Sequence, residues 1–375
     1  MSRFDKLVPD YIRGLAPYKP GKPIRQAERE SGIRCIKMAS NENPLGPSPK
    51  ALEAIRAAAA EVHLYPDMDA VELRTRLAER HHLQPDQVVL ADGSTALLDL
   101  LGRVLLAPGR NAITSERSFI VYPIATRAAG GKLLTVPMKD DGFDLDAILA
   151  AINADTRLVF IANPNNPTGT LLPASAVDRF LECVPEHVLV VLDEAYCDFG
   201  AHFARARGLD YSHSLDYVRQ GRNVVVLRTF SKAHGLAGLR LGYGFGPPEL
   251  LQYLACVRTA FSVSAIAEAA GLAALEDEAH IRKTVENNAA QAPWLTQQLD
   301  QMGFRTIPTF ANFIYFDAGE DGLALARRMQ ANGVIVRPLA AWGAPTALRV
   351  TVGTPEQNRA FLAALQKSTE RVAAR

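Results

Sequence analysis

The chain has 375 residues, 48% hydrophobic and 22% charged, which excludes a disordered polymer and leaves room for one large domain with a smaller companion. Its 41 lysines and arginines nearly balance 40 acids, for a net charge of +1, so no polyanion such as nucleic acid is expected as partner. No run approaches the ~18 apolar residues of a membrane span, and the start MSRFDKLVPD lacks the apolar core of a signal peptide, so a cytoplasmic protein is expected. Cys35, Cys183, Cys197 and Cys256 lie far apart with no C-x-x-C spacing, which suits neither a disulfide framework nor a metal site.

Residues 1–36, rich in proline, glycine and charge, read as an arm without a core of its own. Helical periodicity over 48–62 leads to a turn at Tyr65-Pro66-Asp67 and an amphipathic helix over 70–81. A strand over 87–91, a helix over 94–106 and strands at 111–114 and 157–162 follow. The valine-rich runs 188–192 and 224–227 are apolar throughout, the pattern of strands covered on both faces. Residues 37–260 therefore predict an α/β domain around a mostly parallel sheet. After residue 260 the pattern changes to a long helical stretch over 264–302, a strand at 312–316, a helix at 323–332 and strands at 334–336 and 348–352. Residues 261–375 read as a smaller α+β domain.

A parallel sheet gathers ligands at the carboxyl ends of its strands, and four strand-end loops here carry unusual residues. In Ala91-Asp-Gly-Ser-Thr95, Gly93 permits a tight turn and the amides of Ser94 and Thr95 open a helix, a place that favours phosphate; a serine cap is the commoner explanation of such a pattern. Neither G-x-G-x-x-G nor a P-loop occurs. Asn163-Pro-Asn-Asn-Pro-Thr-Gly169 is a good turn and also holds asparagine amides with little freedom to turn away. Asp193 in Asp193-Glu-Ala-Tyr196 follows an apolar strand, where a carboxylate needs a cation or a donor. Lys232 lies in TFSKAHGLAGLR, residues 229–240, just past another such strand. A buried ammonium there is costly unless paired or converted, for example to a Schiff base with an aldehyde.

One cofactor accounts for all four loops. Pyridoxal phosphate needs a lysine for its aldehyde, an acid for its pyridine nitrogen, a donor for its phenolate oxygen and an anion site for its phosphate. Lys232, Asp193, Asn166 and the Gly93-Ser94-Thr95 helix start supply these in turn, with Ser231 and Arg240 as further phosphate ligands and Phe119 as the ring stacked on the cofactor.

The segments MASNENPLGPSP (38–49), YPD (65–67), DGST, NPNNPTG, DEAY, TFSKAHGLAGLR and LRVTVGT (348–354), in this order, resemble the motif series of the histidinol-phosphate aminotransferase family, within the fold-type-I pyridoxal-phosphate enzymes. The resemblance spans nearly the whole chain. It implies a homodimer with active sites at the subunit interface, in which Tyr65 reaches the phosphate of the neighbouring subunit's cofactor and Tyr196 lies near the phenolate oxygen. It further implies that Arg349 binds the substrate's carboxylate, a task suited to a planar bidentate guanidinium. Arg337 and Tyr18 match the positions thought to share the substrate phosphate, and Asn43 and Asn312 join them as substrate-side residues. The implied reaction is amino transfer from histidinol phosphate to 2-oxoglutarate by ping-pong kinetics, with Lys232 moving the α-proton.

The sequence departs from the family pattern at three places. Phe119 stands where many members have tyrosine, Ser94-Thr95-Ala96 lacks the acidic residue often found shortly after this turn, and 340–345 is apolar and carries Trp342. The last feature favours an aromatic amino acid as the alternative donor. A phosphothreonine-type decarboxylase and a non-catalytic aminotransferase-like protein are further alternatives.

Overall fold

The computed structural model of the chain describes residues 3–15 and 22–373. Seven strands form the central sheet: β1 (Val88–Ala91), β2 (Asn111–Ser115), β3 (Lys132–Val136), β4 (Thr156–Ala162), β5 (Leu189–Asp193), β6 (Val224–Thr229) and β7 (Gly242–Phe245). Their order is β1-β7-β6-β5-β4-β2-β3, parallel throughout except that β7 runs antiparallel to both of its neighbours. Every residue of β5 is buried, as are the first four of β6, which is why these strands are apolar without alternation. Since β1 lies parallel to β6, the loops after β1, β2, β4, β5 and β6 all open on one edge of the sheet.

The helices start where their caps require. Ser48 accepts the amide of Ala51 at the head of Pro49–Ala58, with proline at the first turn, and Ser264 accepts Ala267 at the head of Ala265–Leu275. The helical stretch expected over 264–302 is two helices, Ala265–Leu275 and Glu278–Gln301. Asp277 ends the first by leaving helical geometry, and its carboxylate accepts the amide of His280 to begin the second.

A second, antiparallel sheet is built from β8 (Arg305–Thr306), β9 (Phe313–Asp317), β10 (Arg337–Pro338) and β11 (Ala347–Thr351), in the order β8-β9-β11-β10. Alternation sorts its two faces: Ile314, Phe316, Leu348, Val350 and Val352 enter an apolar core with Leu295, Leu299 and Phe361, leaving Tyr315 and Arg349 on the other face. Val263, Ala267, Ala270 and Leu275 belong instead to the core of the large sheet, so that core extends past residue 260.

The N-terminal segment has more structure than its composition suggests. Ile36–Lys37 pairs in parallel with Val334–Ile335, and Ala27, on the helix Ile24–Ser31, packs with Cys35, Ala39 and Ile335. From residue 24 onward it is therefore docked on the C-terminal unit, not an arm without a core. The strand leads directly into Ser40-Asn41-Glu42, at the edge of the candidate site.

Candidate active site

At the carboxyl edge of the large sheet, facing β11 and β10, lies a cavity of about 270 Å³. Its walls come from the loops after β1, β2, β4, β5 and β6, the segment 39–42, and Arg337, Trp342 and Arg349 of the C-terminal unit. Residues up to 310 apart in sequence meet here, Ala39 and Arg349 among them.

Lys232 lines this cavity, its Nζ donating to the carbonyl of Ser40 at 3.1 Å and lying 5.7 Å from the centre of the Tyr196 ring. Burial pulls its pKa down to about 7; Arg349 and Arg240 push the same way and Glu42 opposes them. An amine so placed is substantially neutral near pH 7, as a nucleophile or proton acceptor must be. Asp193, the last residue of β5, is its acidic counterpart. Burial raises the carboxyl to about 6, opposed by hydrogen bonds from the Tyr122 hydroxyl and the Ala195 amide. It is thus kept as an anion in a site that would otherwise protonate it.

The loop after β1 forms an anion cradle. Ser94 and Thr95 open the helix Ser94–Leu105 and line the cavity together with Ser231 and Arg240, so the first free amides and the positive helix end face the same space. The closeness of the backbones is visible at two glycines. A Cβ on Gly242 would lie 2.1 Å from the Ser94 nitrogen, and one on Gly93, whose φ is +106°, would lie 2.5 Å from Nη2 of Arg240. Arg240 Nη1 donates to Ala237 O at 2.9 Å and approaches Ser231 Oγ at 3.5 Å.

On the opposite side, Asn166 donates to the Tyr196 hydroxyl at 3.2 Å and accepts from Arg349. The Tyr196 hydroxyl also accepts from Asn41 at 2.8 Å. Arg349 further donates to Ala39 O at 2.9 Å and stands across the strand pair from Arg337, whose guanidinium lies 5.1 Å from the centre of the Trp342 ring. Phe119 lines the cavity as an apolar wall.

Not every expected residue reaches the cavity. Asn43 turns away: its amide donates to Ala233 O and Thr284 Oγ1 and its oxygen accepts from Leu45 N. The asparagine of that motif that lines the cavity is Asn41, two residues earlier. Asn312 is buried and donates to the Asn41 carbonyl at 3.1 Å, so it supports Asn41 without lining the site. Tyr65 lies on the surface, 84% exposed, against Phe261. Tyr18 falls outside the described residues. Asn41, which lines the cavity, and Tyr122, which donates to Asp193, are side chains at the site that the sequence does not single out. Asn41 shares a motif with Asn43 that carries no orientation, and the three-residue spacing of Tyr122 from Phe119 says nothing of a contact 71 positions away.

Residues 33–365 match the family model "Aminotransferase class I and II". The chain belongs to this aminotransferase family. Among curated relatives, histidinol-phosphate aminotransferase 2 of Pseudomonas aeruginosa is 47% identical over 370 residues, covering 98% of this chain and 99% of the relative. Histidinol-phosphate aminotransferase 2 of Pseudomonas fluorescens Pf0-1 is 47% identical over 359 residues, covering 95% of each. The histidinol-phosphate aminotransferase of Sinorhizobium meliloti, solved in complex with pyridoxal 5′-phosphate, superposes with a TM-score of 0.89 at 30% identity over 99% of both chains. Aspartate aminotransferase of Thermus thermophilus, with maleate, shares the fold at a TM-score of 0.81 and 23% identity, over 96% of this chain and 99% of that one. In this aminotransferase Lys232, Asp193 and the anion cradle all lie within the matched residues.

Proposed function

We propose that this aminotransferase uses pyridoxal phosphate to take the amino group of histidinol phosphate and pass it to 2-oxoglutarate, giving imidazole-acetol phosphate and glutamate in histidine biosynthesis. The observation that carries the donor is the pair Arg337 and Arg349, opposite each other on β10 and β11 and both lining the cavity of Lys232. Like charges directly across a strand pair are unfavourable, and a phosphate monoester with two charges compensates two guanidiniums better than one carboxylate does. The names of the relatives at 47% identity agree with it.

The cavity residues fit the cofactor. Ser94, Thr95, Ser231 and Arg240 would hold its phosphate, Asp193 its ring nitrogen, Asn166 and Tyr196 its phenolate oxygen, with Phe119 against its ring. When bound, pyridoxal phosphate supplies the aldehyde that accepts the amino group and the electron sink for the α-carbon. The protein's own part is positional and acid–base. Arg337 and Arg349 fix the anionic end of the substrate, and the neutral Nζ of Lys232 takes up the α-proton and releases it again. Asn166 couples the two halves, since its amide joins Tyr196 to Arg349.

The reading includes a cytoplasmic homodimer in which Tyr65 serves the partner's site. Its exposure beside exposed Phe261 supports this. Among the described residues no helix is long and apolar enough to cross a membrane. A second reading, an aromatic amino acid aminotransferase, draws support from the apolar wall of Phe119, Ile120 and Trp342. Half-reactions decide between them: the cofactor-loaded protein is mixed with histidinol phosphate, phenylalanine, tyrosine or phosphothreonine, each without a keto acid, and the visible absorption is followed. Bleaching by histidinol phosphate at least tenfold faster than by phenylalanine is expected; the reverse order establishes the aromatic reading, and carbon dioxide release from phosphothreonine a decarboxylase.

A further inference from the structure

The carboxylate of Asp193 accepts a hydrogen bond from the Tyr122 hydroxyl, 3.0 Å from Oδ2. The other oxygen, Oδ1, accepts the Ala195 amide at 3.2 Å. Tyr122 is fully buried in the helix Val121–Ala128 and cannot move aside: its ring stacks on Phe160 of β4 at 4.8 Å and 6°, and Phe119 meets it edge-on at 5.6 Å. One short segment therefore carries both Phe119, which lines the cavity, and a hydroxyl that reaches the acid from outside the cavity wall.

We propose that Tyr122 is a positioning residue for the reaction, which fixes the carboxylate of Asp193 in orientation and in its ionised form so that it can pair with the ring nitrogen of the bound cofactor. The proposal rests on the pyridoxal-phosphate reading above. Burial, and after it the charge of Asp193, hold the phenol well above its ordinary pKa, so it stays protonated and donates. The other charged or titratable groups facing Asp193 are Lys232 across the cavity, which favours the anion, and Glu194 beside it, which disfavours it; Tyr196 faces the same cluster. Loss of the Tyr122 donor removes the first of the influences that oppose burial, and the carboxyl must then protonate at a higher pH.

Tyr122→Phe keeps the stacked ring and deletes only the hydroxyl. Cofactor-stripped full-length protein is titrated with pyridoxal phosphate, following visible absorption and protein fluorescence, for the wild type, Tyr122→Phe, Asp193→Asn and the double variant. The expected results are an affinity about tenfold weaker for Tyr122→Phe and a larger loss for Asp193→Asn. In the Asp193→Asn background the tyrosine substitution should change affinity by less than about twofold, because a residue acting only through Asp193 has nothing left to act on. In the loaded Tyr122→Phe enzyme the acidic limb of kcat should move to higher pH while KM for the amino donor stays within about twofold. Unchanged cofactor affinity and pH profile in Tyr122→Phe, or losses that add fully in the double variant, overturn the assignment of Tyr122 and leave the cofactor reading intact. A wild-type protein that takes up no pyridoxal phosphate overturns both.

Discussion

A lysine enclosed with two arginines relieves the repulsion by losing its proton, by pairing with an acid, or by being consumed in a covalent bond. In this fold the nearby acid, Glu42, is engaged by Lys37 at 2.7 Å, and burial is the larger influence on Lys232, so the proton is lost first. The consequence for stability has a definite sign. With a native pKa of about 7 against the ordinary 10.5, the unfolded chain binds a proton that the native chain lacks over that window, so this group's contribution to stability rises as pH climbs from 7 toward 10.5. In cofactor-stripped protein, Lys232→Met should therefore be more stable than wild type in urea unfolding at pH 6, with the gap closing by pH 10. A gap independent of pH would falsify a neutral Lys232. At this scale Lys232 and Asp193 are legible in the sequence, because each places a charge at or just past the end of an apolar strand, whereas Arg349, inside β11, is marked only by the resemblance of its motif. Asn41 and Tyr122 are not, because a side chain that hydrogen-bonds across 155 or 71 positions leaves no local pattern.

Among the elements, the junction of β1, β7 and the helix Ser94–Leu105 does the most for the site. β7 begins at Gly242, which pairs with Ala91 on one side and Thr229 on the other, so one residue brings the phosphate loop and the lysine loop side by side. There is no space for a Cβ, since its nearest neighbour would be the Ser94 backbone nitrogen at 2.1 Å. Gly242→Ala should cost about 2–4 kcal/mol by the overpacking and strain seen in closed cores, read as a lowered denaturation midpoint, and should weaken cofactor binding as the helix start shifts. Gly238→Ala, with nothing within 4 Å of its Cβ, is the control and should leave both unchanged; equal losses in the two would show that the close approach is not the cause. Strand and helix types follow from periodicity, and the continuous helix expected over 264–302 shows where periodicity is insufficient. Nothing in an apolar pattern marks Asp277 as a cap and not a solvated helical residue, since the cap exists only in the turn its carboxylate closes.

For the whole molecule, the position of Tyr65 sets the test. Its ring lies on the surface with Phe261, outside its own cavity, so a role in catalysis requires a second copy. Lys232→Ala and Tyr65→Ala proteins, each inactive or nearly so, are to be denatured together and refolded. Random pairing yields hybrids in half of the dimers, each with one intact site formed by Lys232 of one subunit and Tyr65 of the other, so activity should return to about a quarter of wild type. Activity no higher than the sum of the two separately refolded variants would place Tyr65 outside catalysis. The C-terminal unit supplies Arg337, Trp342 and Arg349 to the cavity, while the loops of the large sheet supply Lys232, Asp193, Ser94 and Arg240. In the proposed reading, substrate choice and cofactor chemistry are carried by different parts of one cavity.

By itself the sequence pointed to the fold class, the cofactor, and a lysine and an acid at buried strand ends, while Arg349 was marked only by the family resemblance of its motif. These depend on strand-end residues and turn motifs whose chemistry is local: a charge after an apolar strand, or a glycine opening a helix. Only the tertiary structure decided that Asn41 and not Asn43 lines the cavity, that Asn312 acts from behind it, that Arg337 and Arg349 stand opposite each other and that Tyr122 holds Asp193. Each of these is a contact across a sheet register or between distant segments, set by how strands pair and cores close, and a linear pattern carries no record of it.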